Sequence, residues 1–266
     1  MISSALARAL AQDMIRAQGW LRHLEWFDST DSTNLAARRA VSAKQPCPAL
    51  FVAERQTQGR GRGAHQWWSP SGCLMMTLAI DSSQAPADRD LRQLLSFYCG
   101  VAVAEAVDQW LKLPRAEVKW PNDLYVNGRK LAGILIESQT SADGDMDWLI
   151  GVGLNVSMQW HEAPLEIRER ATCMSTCLGA PVDVCEVLVT LVSRLQQAIE
   201  QWQAGSTQWF SQWVDRCMLS GKVVQVQVGE HIVTGRCEGI AQSGLLLVRD
   251  ETTVHQLSSG EVLRWQ

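Results

Sequence analysis

The densest chemistry in the sequence lies in residues 56–70. Gly59, Gly61 and Gly63 alternate there with Arg60 and Arg62, His65 and the pair Trp67 and Trp68 follow, and no acidic residue interrupts the run. Glycines let a backbone turn with positive φ and bring its N–H groups close to a ligand, and successive N–H groups form anion-binding nests. Arginine adds a permanent charge in a planar fork that fits carboxylate or phosphate. A nearby indole offers a flat face on which a nucleobase can stack. Such a loop suits the task of holding a carboxylate against a nucleotide phosphate. Composition alone leaves a second reading open, a surface loop with two solvated arginines.

Three further stretches could join it. Asp31, Ser32, Thr33 and Asn34 stand before the helix-forming residues 35–43. They read as a helix N-cap, and the hydroxyls and N–H groups at such a start can also bind a polar ligand. Lys119-Trp120-Pro121-Asn122-Asp123 and Lys130 come next, separated by the hairpin signal Asn127-Gly128. Isolated lysines in apolar strands are usually edge or solvent-facing. Here they flank Asn122 and Asp123, which suits a phosphate and metal site. In the strand ending near Asn155, Gly151 and Gly153 alternate and leave one face bare, a mark of close approach by a ligand or another backbone.

The elements that must position these groups follow from periodicity. Residues 3–18 carry Leu6, Leu10 and Met14 at helical spacing. Strands are expected at 24–27, 49–55 and 72–81, with the glycine–arginine loop joining the last two. A long helix is expected over 89–113, ended by Pro114. A strand runs into Pro121, resumes at 124–126, and returns over 129–138 after the hairpin; another spans 147–157. Helices at 183–202 and 206–219 follow. Beyond Lys222, five short strands separated by turn residues predict a small β-barrel, which divides the chain into residues 1–220 and 221–266.

Composition bounds the alternatives. The chain has 266 residues, is 46% hydrophobic and 20% charged, and carries a net charge of −4, so it can bury a large core and is not built to grip nucleic acid by overall charge. It has no apolar run long enough to span a membrane, and residues 1–24 lack the shape of a secretory signal. A cytoplasmic protein without membrane partners is expected. The eight cysteines include no Cys-x-x-Cys pair and no neighbouring histidine at zinc-finger spacing, so they are expected to be reduced, buried or half-buried side chains, with no protein-held metal.

Taken together, Asp31-Ser32-Thr33-Asn34, Gly59-Arg60-Gly61-Arg62 with Trp67, Ser69 and Pro70, Lys119 to Asp123 with Arg129 to Gly133, and Gly151-Val152-Gly153-Leu154-Asn155 resemble the biotin protein ligase family in order and spacing. The resemblance covers about residues 24–266. It implies an α/β (α+β) fold: a mixed sheet flanked by helices, like the catalytic domain of class II tRNA synthetases, plus a C-terminal SH3-like β-barrel. It also implies a two-step reaction with ATP, Mg²⁺ and biotin. Biotin is activated to biotinyl-5′-AMP and then transferred to a lysine of a biotin carboxyl carrier protein of acetyl-CoA carboxylase or a related carboxylase.

Carried over by position, Ser32, Thr33, Asn34 and Gln56 line the biotin ring end, with Gly59, Gly61 and Gly133 also on the biotin side. Arg60 and Arg62 clamp carboxylate and phosphate. Lys130 holds the biotin carboxylate and the developing phosphate charge. His65, Trp67, Lys119, Asn122 and Asn155 belong to the ATP side, with Arg62, and Asp123 is the candidate for positioning or deprotonating the incoming lysine. Some relatives carry an N-terminal winged helix. The residues before 27 leave too little room for one, so no DNA binding is expected. A monomer or weak homodimer fits the family. Two other functions are alternatives: a lipoate or octanoate ligase on the same fold, which lacks the Gly-Arg-Gly-Arg loop, and a non-catalytic nucleic-acid-binding module.

Overall fold

Alternation along the central strands decides the fold. A computed structural model describes residues 4–63, 65–140 and 146–266. Ser3, at the start of the expected first helix, and Ala64, in the glycine–arginine loop, lie outside the described residues. The order is α1 (Ser4–Ala17), β1 (His23–Phe27), α2 (Thr33–Ser42), β2 (Ala49–Ala53), β3 (Cys73–Ile80), α3 (Arg89–Gln93) and α4 (Leu95–Asp108). Next come β4 (Glu117–Lys119), β5 (Asp123–Val126), β6 (Arg129–Thr140), β7 (Met146–Asn155), α5 (Leu165–Arg170), α6 (Met174–Leu178), α7 (Val184–Gln203) and α8 (Gln208–Val214). Five strands close the chain: β8 (Val223–Val228), β9 (His231–Ile240), β10 (Leu246–Arg249), β11 (Val254–Leu257) and β12 (Glu261–Trp265).

The first seven strands form one mixed sheet in the order β1-β2-β3-β7-β6-β5-β4, parallel only between β1 and β2. On one face Leu50, Val52, Leu74, Met76, Leu78, Ile80, Ile150, Val152 and Leu154 join α4 and α7 in the main core. Residues one step out of phase turn to the other face. Ala49, Phe51, Ala79 and Leu149 pack there under Ala36 and Ala37 of α2. The rest of that face carries Thr77, Gly151, Gly153, Gly133 and Glu137, and it becomes the floor of the site.

β8 to β12 form a separate antiparallel sheet, ordered β11-β10-β9-β8-β12. Its inward residues Val224, Val226, Ile240, Leu246 and Val248 continue the main core. The Trp120 indole donates to Gly244 O at 3.2 Å, and a Cβ on Gly244 would stand 2.6 Å from the Phe97 ring, so the two sheets are held at close range.

Several expectations are corrected. The helix over 89–113 is two helices, because Leu94 N–H bonds Leu91 O in a tight turn. It ends at Asp108, whose carboxylate accepts from Ala116 N–H and pairs with Arg216, which turns the chain back well before Pro114. The helix over 206–219 stops at Val214 because the chain then pairs with β4, Val118 N–H bonding Arg216 O and Met218 N–H bonding Val118 O. α1 buries Ala11 and Ile15, whereas the expected apolar positions face outward, Leu10 46% and Met14 57% exposed. All eight cysteines are free and buried or half-buried, as expected.

Candidate functional site

The site lies where the glycine-bearing face of the sheet meets the start of α2, the 56–72 connection and the edge of the C-terminal sheet. The cavity there measures about 1270 Å³. A single drug-sized ligand needs roughly 300–1,000 Å³, so there is room for two small molecules side by side.

One end is built by α2. Its N-cap Ser32 makes no side-chain cap bond, and Ser32 is almost wholly buried at the cavity wall. The first-turn N–H of Thr33 instead donates to Gln56 Oε1 at 2.7 Å, and the Thr33 hydroxyl donates to the same oxygen at 3.1 Å. Gln56 reaches this place because its backbone continues the parallel β1–β2 pairing opposite Thr30. Asn34 is fixed at both ends of its amide. Thr77 donates to Oδ1 at 2.6 Å, and Nδ2 donates to Glu137 Oε2 at 2.9 Å. Arg39 holds the Asp31 carboxyl well below the usual carboxylate range, and Asp31 in turn accepts from Ser32 N–H at 2.7 Å.

The glycine–arginine loop folds as a small hairpin of its own. Trp67 N–H bonds Gly59 O and Gly61 N–H bonds His65 O, with Gly63 at φ +59° in the turn. A Cβ on Gly59 would lie 2.4 Å from Trp67 O, so only glycine allows that rung. The hairpin sends its two arginines to different partners. Arg60 Nη1 donates to Glu137 Oε1 at 3.0 Å. Arg62 reaches Asn122 Oδ1 at 3.3 Å and Gly260 O at 3.4 Å, bridging the two sheets. His65 sits beside Glu261, 3.6 Å away and well exposed.

The bare strand face takes side chains close against it, and Gly151 and Gly153 still line the cavity. A Cβ on Gly151 would lie 2.2 Å from Asn34 Oδ1, and one on Gly153 would lie 2.4 Å from Trp67 Cε2. Trp67 thus lies against Gly153 and Gly133 and lines the cavity with the rest of its ring.

Two cations stand at the other end. In β6 the pairing with β5 skips Leu131, since Leu124 faces Ala132 and Tyr125 faces Lys130. This bulge brings Lys130 to the same face as Gly133, and a Cβ on Gly133 would stand 3.6 Å from Lys130 Cε. Lys130 Nζ is 2.8 Å from Asp123 Oδ1. An isolated lysine in an apolar strand is usually at an edge or facing solvent. Lys119 is indeed on the edge strand β4, but β12 covers it and leaves it 9% exposed. Its ammonium donates to Val262 O at 3.1 Å and lies 4.2 Å from the Trp265 ring centre. Burial, opposed by Asp123, pulls its pKa down to about 8.

The cavity wall therefore brings together Ser32, Thr33, Asn34, Gln56, Arg60, Gly61, Arg62, His65, Trp67, Lys119, Asn122, Asp123, Lys130 and Gly133. Gly59 and Asn155 are not on it. Gly59 is packed under Trp67 and Ser69, and Asn155 is buried with its Nδ2 donating to Thr172 O at 2.9 Å. Sequence reading missed Thr77, Glu137 and Trp265. Thr77 is a polar residue inside an apolar strand, a signal that was there to be read; for Glu137 the strand parity shared with Gly133 was the available sign.

Comparison with known proteins gives the same constellation a lineage. Residues 26–155 match the biotin/lipoate A/B protein ligase family, and residues 219–265 match the biotin protein ligase C terminal domain. The biotin–[acetyl-CoA-carboxylase] ligase of Mycobacterium tuberculosis is 30% identical over 260 residues, 96% of this chain and 94% of that one. The bifunctional ligase/repressor BirA of Escherichia coli is 30% identical over 238 residues, 89% of this chain and 71% of that one. The structure of the Aquifex aeolicus biotin protein ligase in complex with biotin and ATP superposes with a TM-score of 0.78 at 28% identity, covering 92% of this chain and 99% of that one. By fold and sequence alike, the chain belongs to the biotin protein ligase family.

Proposed function

We propose that this enzyme, a biotin–[biotin carboxyl carrier protein] ligase, activates biotin with ATP and transfers it to a carrier lysine. The observation that carries the reading is one cavity in which a polar helix start, the glycine–arginine hairpin and Lys130 meet, with room for two ligands. A biotin carboxylate oxygen attacks the α-phosphorus of ATP, the bond to the bridging oxygen breaks, and pyrophosphate leaves. The carrier amine, deprotonated, then attacks the acyl carbon; the bond to the phosphate oxygen breaks and AMP leaves.

Two anions must approach one another in the first step, and fixed cations remove most of that barrier. Lys130 faces the carboxylate and the phosphate, Arg62 and Lys119 the phosphates. Ser32, Thr33, Asn34 and Gln56 present hydroxyls and amides to the polar ring end of biotin. Trp67 and Asn122 stand on the adenylate side, and Asp123, already bonded to an ammonium, is placed to receive a second one from the carrier. Asn155 serves the nucleotide side from behind the wall. Each charge-assisted contact is worth about 1.5–3 kcal/mol, so several are required together.

Among the described residues no group of three His, Cys, Asp or Glu side chains could hold a metal. Mg²⁺ usually keeps to substrate phosphates with one or two carboxylates. It would fit this site as a companion of ATP and would withdraw charge from the leaving pyrophosphate, with Asp123, 2.8 Å from Lys130, the carboxylate at that end. The carrier is that of acetyl-CoA carboxylase or a related carboxylase, which is what the Mycobacterium tuberculosis relative is named for.

The catalytic part is residues 1–220 and the barrel residues 221–266. Among the described residues ahead of β1 there is one helix, α1. No helix among the described residues is long and apolar enough to cross a membrane. The enzyme works in the cytoplasm as a monomer or weak homodimer.

The test is pyrophosphate release from ATP and Mg²⁺ with biotin, with lipoate, and with neither. Release dependent on biotin supports the reading. Release with lipoate alone assigns the chain to the lipoate branch of the fold.

A further inference from the structure

Glu137 has no part in the reaction as described, yet it is a heavily bonded carboxylate beside the site. It follows Gly133 by four residues on β6 and so shares its face. Its side chain is 17% exposed, and three donors converge on it. Asn34 Nδ2 donates to Oε2 at 2.9 Å, Arg60 Nη1 to Oε1 at 3.0 Å, and Arg38 Nη2 lies 3.3 Å from Oε1. Two of these donors come from α2 and one from the glycine–arginine hairpin. A half-buried carboxylate is stable only when such partners are present. In return it joins three separate pieces of chain at one point.

The arrangement separates the two arginines of the hairpin. Arg62 faces Asn122 and the C-terminal sheet, on the Lys119 and Lys130 side. The charge of Arg60 is offset by Glu137, and its guanidinium is tied down to the sheet. The Asn34 amide, held by Thr77 on its oxygen, is held by Glu137 on its nitrogen, so its orientation is fixed before any ligand arrives.

We propose that Glu137 is a positioning residue of the biotin end: it anchors the glycine–arginine hairpin through Arg60 and sets the Asn34 amide, leaving Arg62 and Lys130 to deal with the anions. Arg60 is on this view a tether rather than a clamp. The proposal rests on the biotin ligase reading of the cavity.

The experiment is calorimetric titration of biotin, without nucleotide, into wild type, Glu137→Gln, Arg60→Gln and the double variant, with the KM for ATP and the melting temperature measured on each. Glutamine keeps the size of Glu137 and an oxygen for Asn34 but loses the charge that holds the guanidiniums. Glu137→Gln is expected to weaken biotin by about tenfold or more, with a faster dissociation rate, while the KM for ATP stays within about twofold. The double variant is expected to be no weaker than the worse single one, because both break the same bond. Biotin binding as in wild type overturns the proposal, as do losses that add in the double variant. So does equal weakening of biotin and ATP with a lowered melting temperature, which marks a purely structural role. Wild type that binds no biotin removes the ligase reading itself, a result distinct from all of these.

Discussion

The Lys130 ammonium lies 2.8 Å from Asp123 Oδ1, across a strand pair whose register is broken at Leu131. Without that bulge Lys130 would fall on the opposite face from Gly133, since side chains alternate. On the proposed reading, Lys130→Ala removes the cation from the place where carboxylate and α-phosphate meet. Biotin-dependent pyrophosphate release is expected to fall at least about a hundredfold, a barrier change of about 2.7 kcal/mol. Unchanged release would keep the family and discard this account of the carboxylate site.

Asp123→Asn separates the two half-reactions. It leaves the Lys130 charge in place and removes the carboxylate that the proposed mechanism offers to the carrier lysine. In single turnovers, adenylate formation is expected to change by less than about tenfold, while transfer from preformed adenylate to carrier slows by about 100-fold or more, the scale of general-base loss. Equal slowing of both steps would assign Asp123 to the activation step instead.

Gly151 and Gly153 carry different side chains on their bare faces, and their alanine variants should fail differently. Gly151→Ala drives a methyl into Asn34 and is expected to weaken biotin; Gly153→Ala drives one into Trp67 and is expected to weaken ATP. Each overpacking should cost about 1–3 kcal/mol of stability. Separate titrations of biotin and ATP read the difference, and a variant that weakens both ligands equally would contradict the division of the cavity.

The pH profile should carry the mark of Lys119. Burial holds its pKa at about 8 in place of 10.5, so its charge is present below pH 8 and fades above it. The KM for ATP is expected to rise above pH 8, by up to about tenfold per unit, while biotin affinity does not follow. Trp265→Ala, by letting water reach the ammonium, should move that limb to higher pH. On stability the same group acts in the opposite sense. Between about pH 8 and 10.5 the unfolded chain binds the extra proton, so its contribution to stability rises with pH across that window and is at its lowest, and constant, below it. A flat KM profile from pH 7 to 10 would remove Lys119 from the phosphates.

Leu10 and Met14 face outward from α1, whereas Ile15 is 1% exposed. Leu10→Gln and Met14→Gln should each change stability by less than about 0.5 kcal/mol, the usual range for surface positions. Ile15→Ala should cost about 2–5 kcal/mol. Chemical denaturation of the three variants checks the orientation of the helix.

The strands and most helices were legible because periodicity reports burial, and the glycine–arginine loop was legible because so few residue types can turn and bind anions at once. Three things were not. The bulge at Leu131 leaves no trace in a run as apolar as residues 131–136, yet it decides which way Lys130 points. The burial of Lys119 depends on β12, which lies 142 to 146 residues further along, and no local pattern announces such a cover. Glu137 bonds Asn34 and Arg60, 103 and 77 residues earlier in the chain, and no local pattern announces partners so far away.

Asn155 and Lys130 never touch, yet Thr172 speaks to both: its N–H bonds the Lys130 carbonyl at 2.9 Å, and its own carbonyl receives the Asn155 amide at the same distance. The segment after α5 is therefore a crossbar between Asn155 at the end of β7 and Lys130 on β6. Any strain placed on it, by a substitution or by a partner pressing on α5, reaches the two ends together. On the proposed reading, nucleotide grip and carboxylate alignment share one strut, and a change in one is expected to carry the other with it.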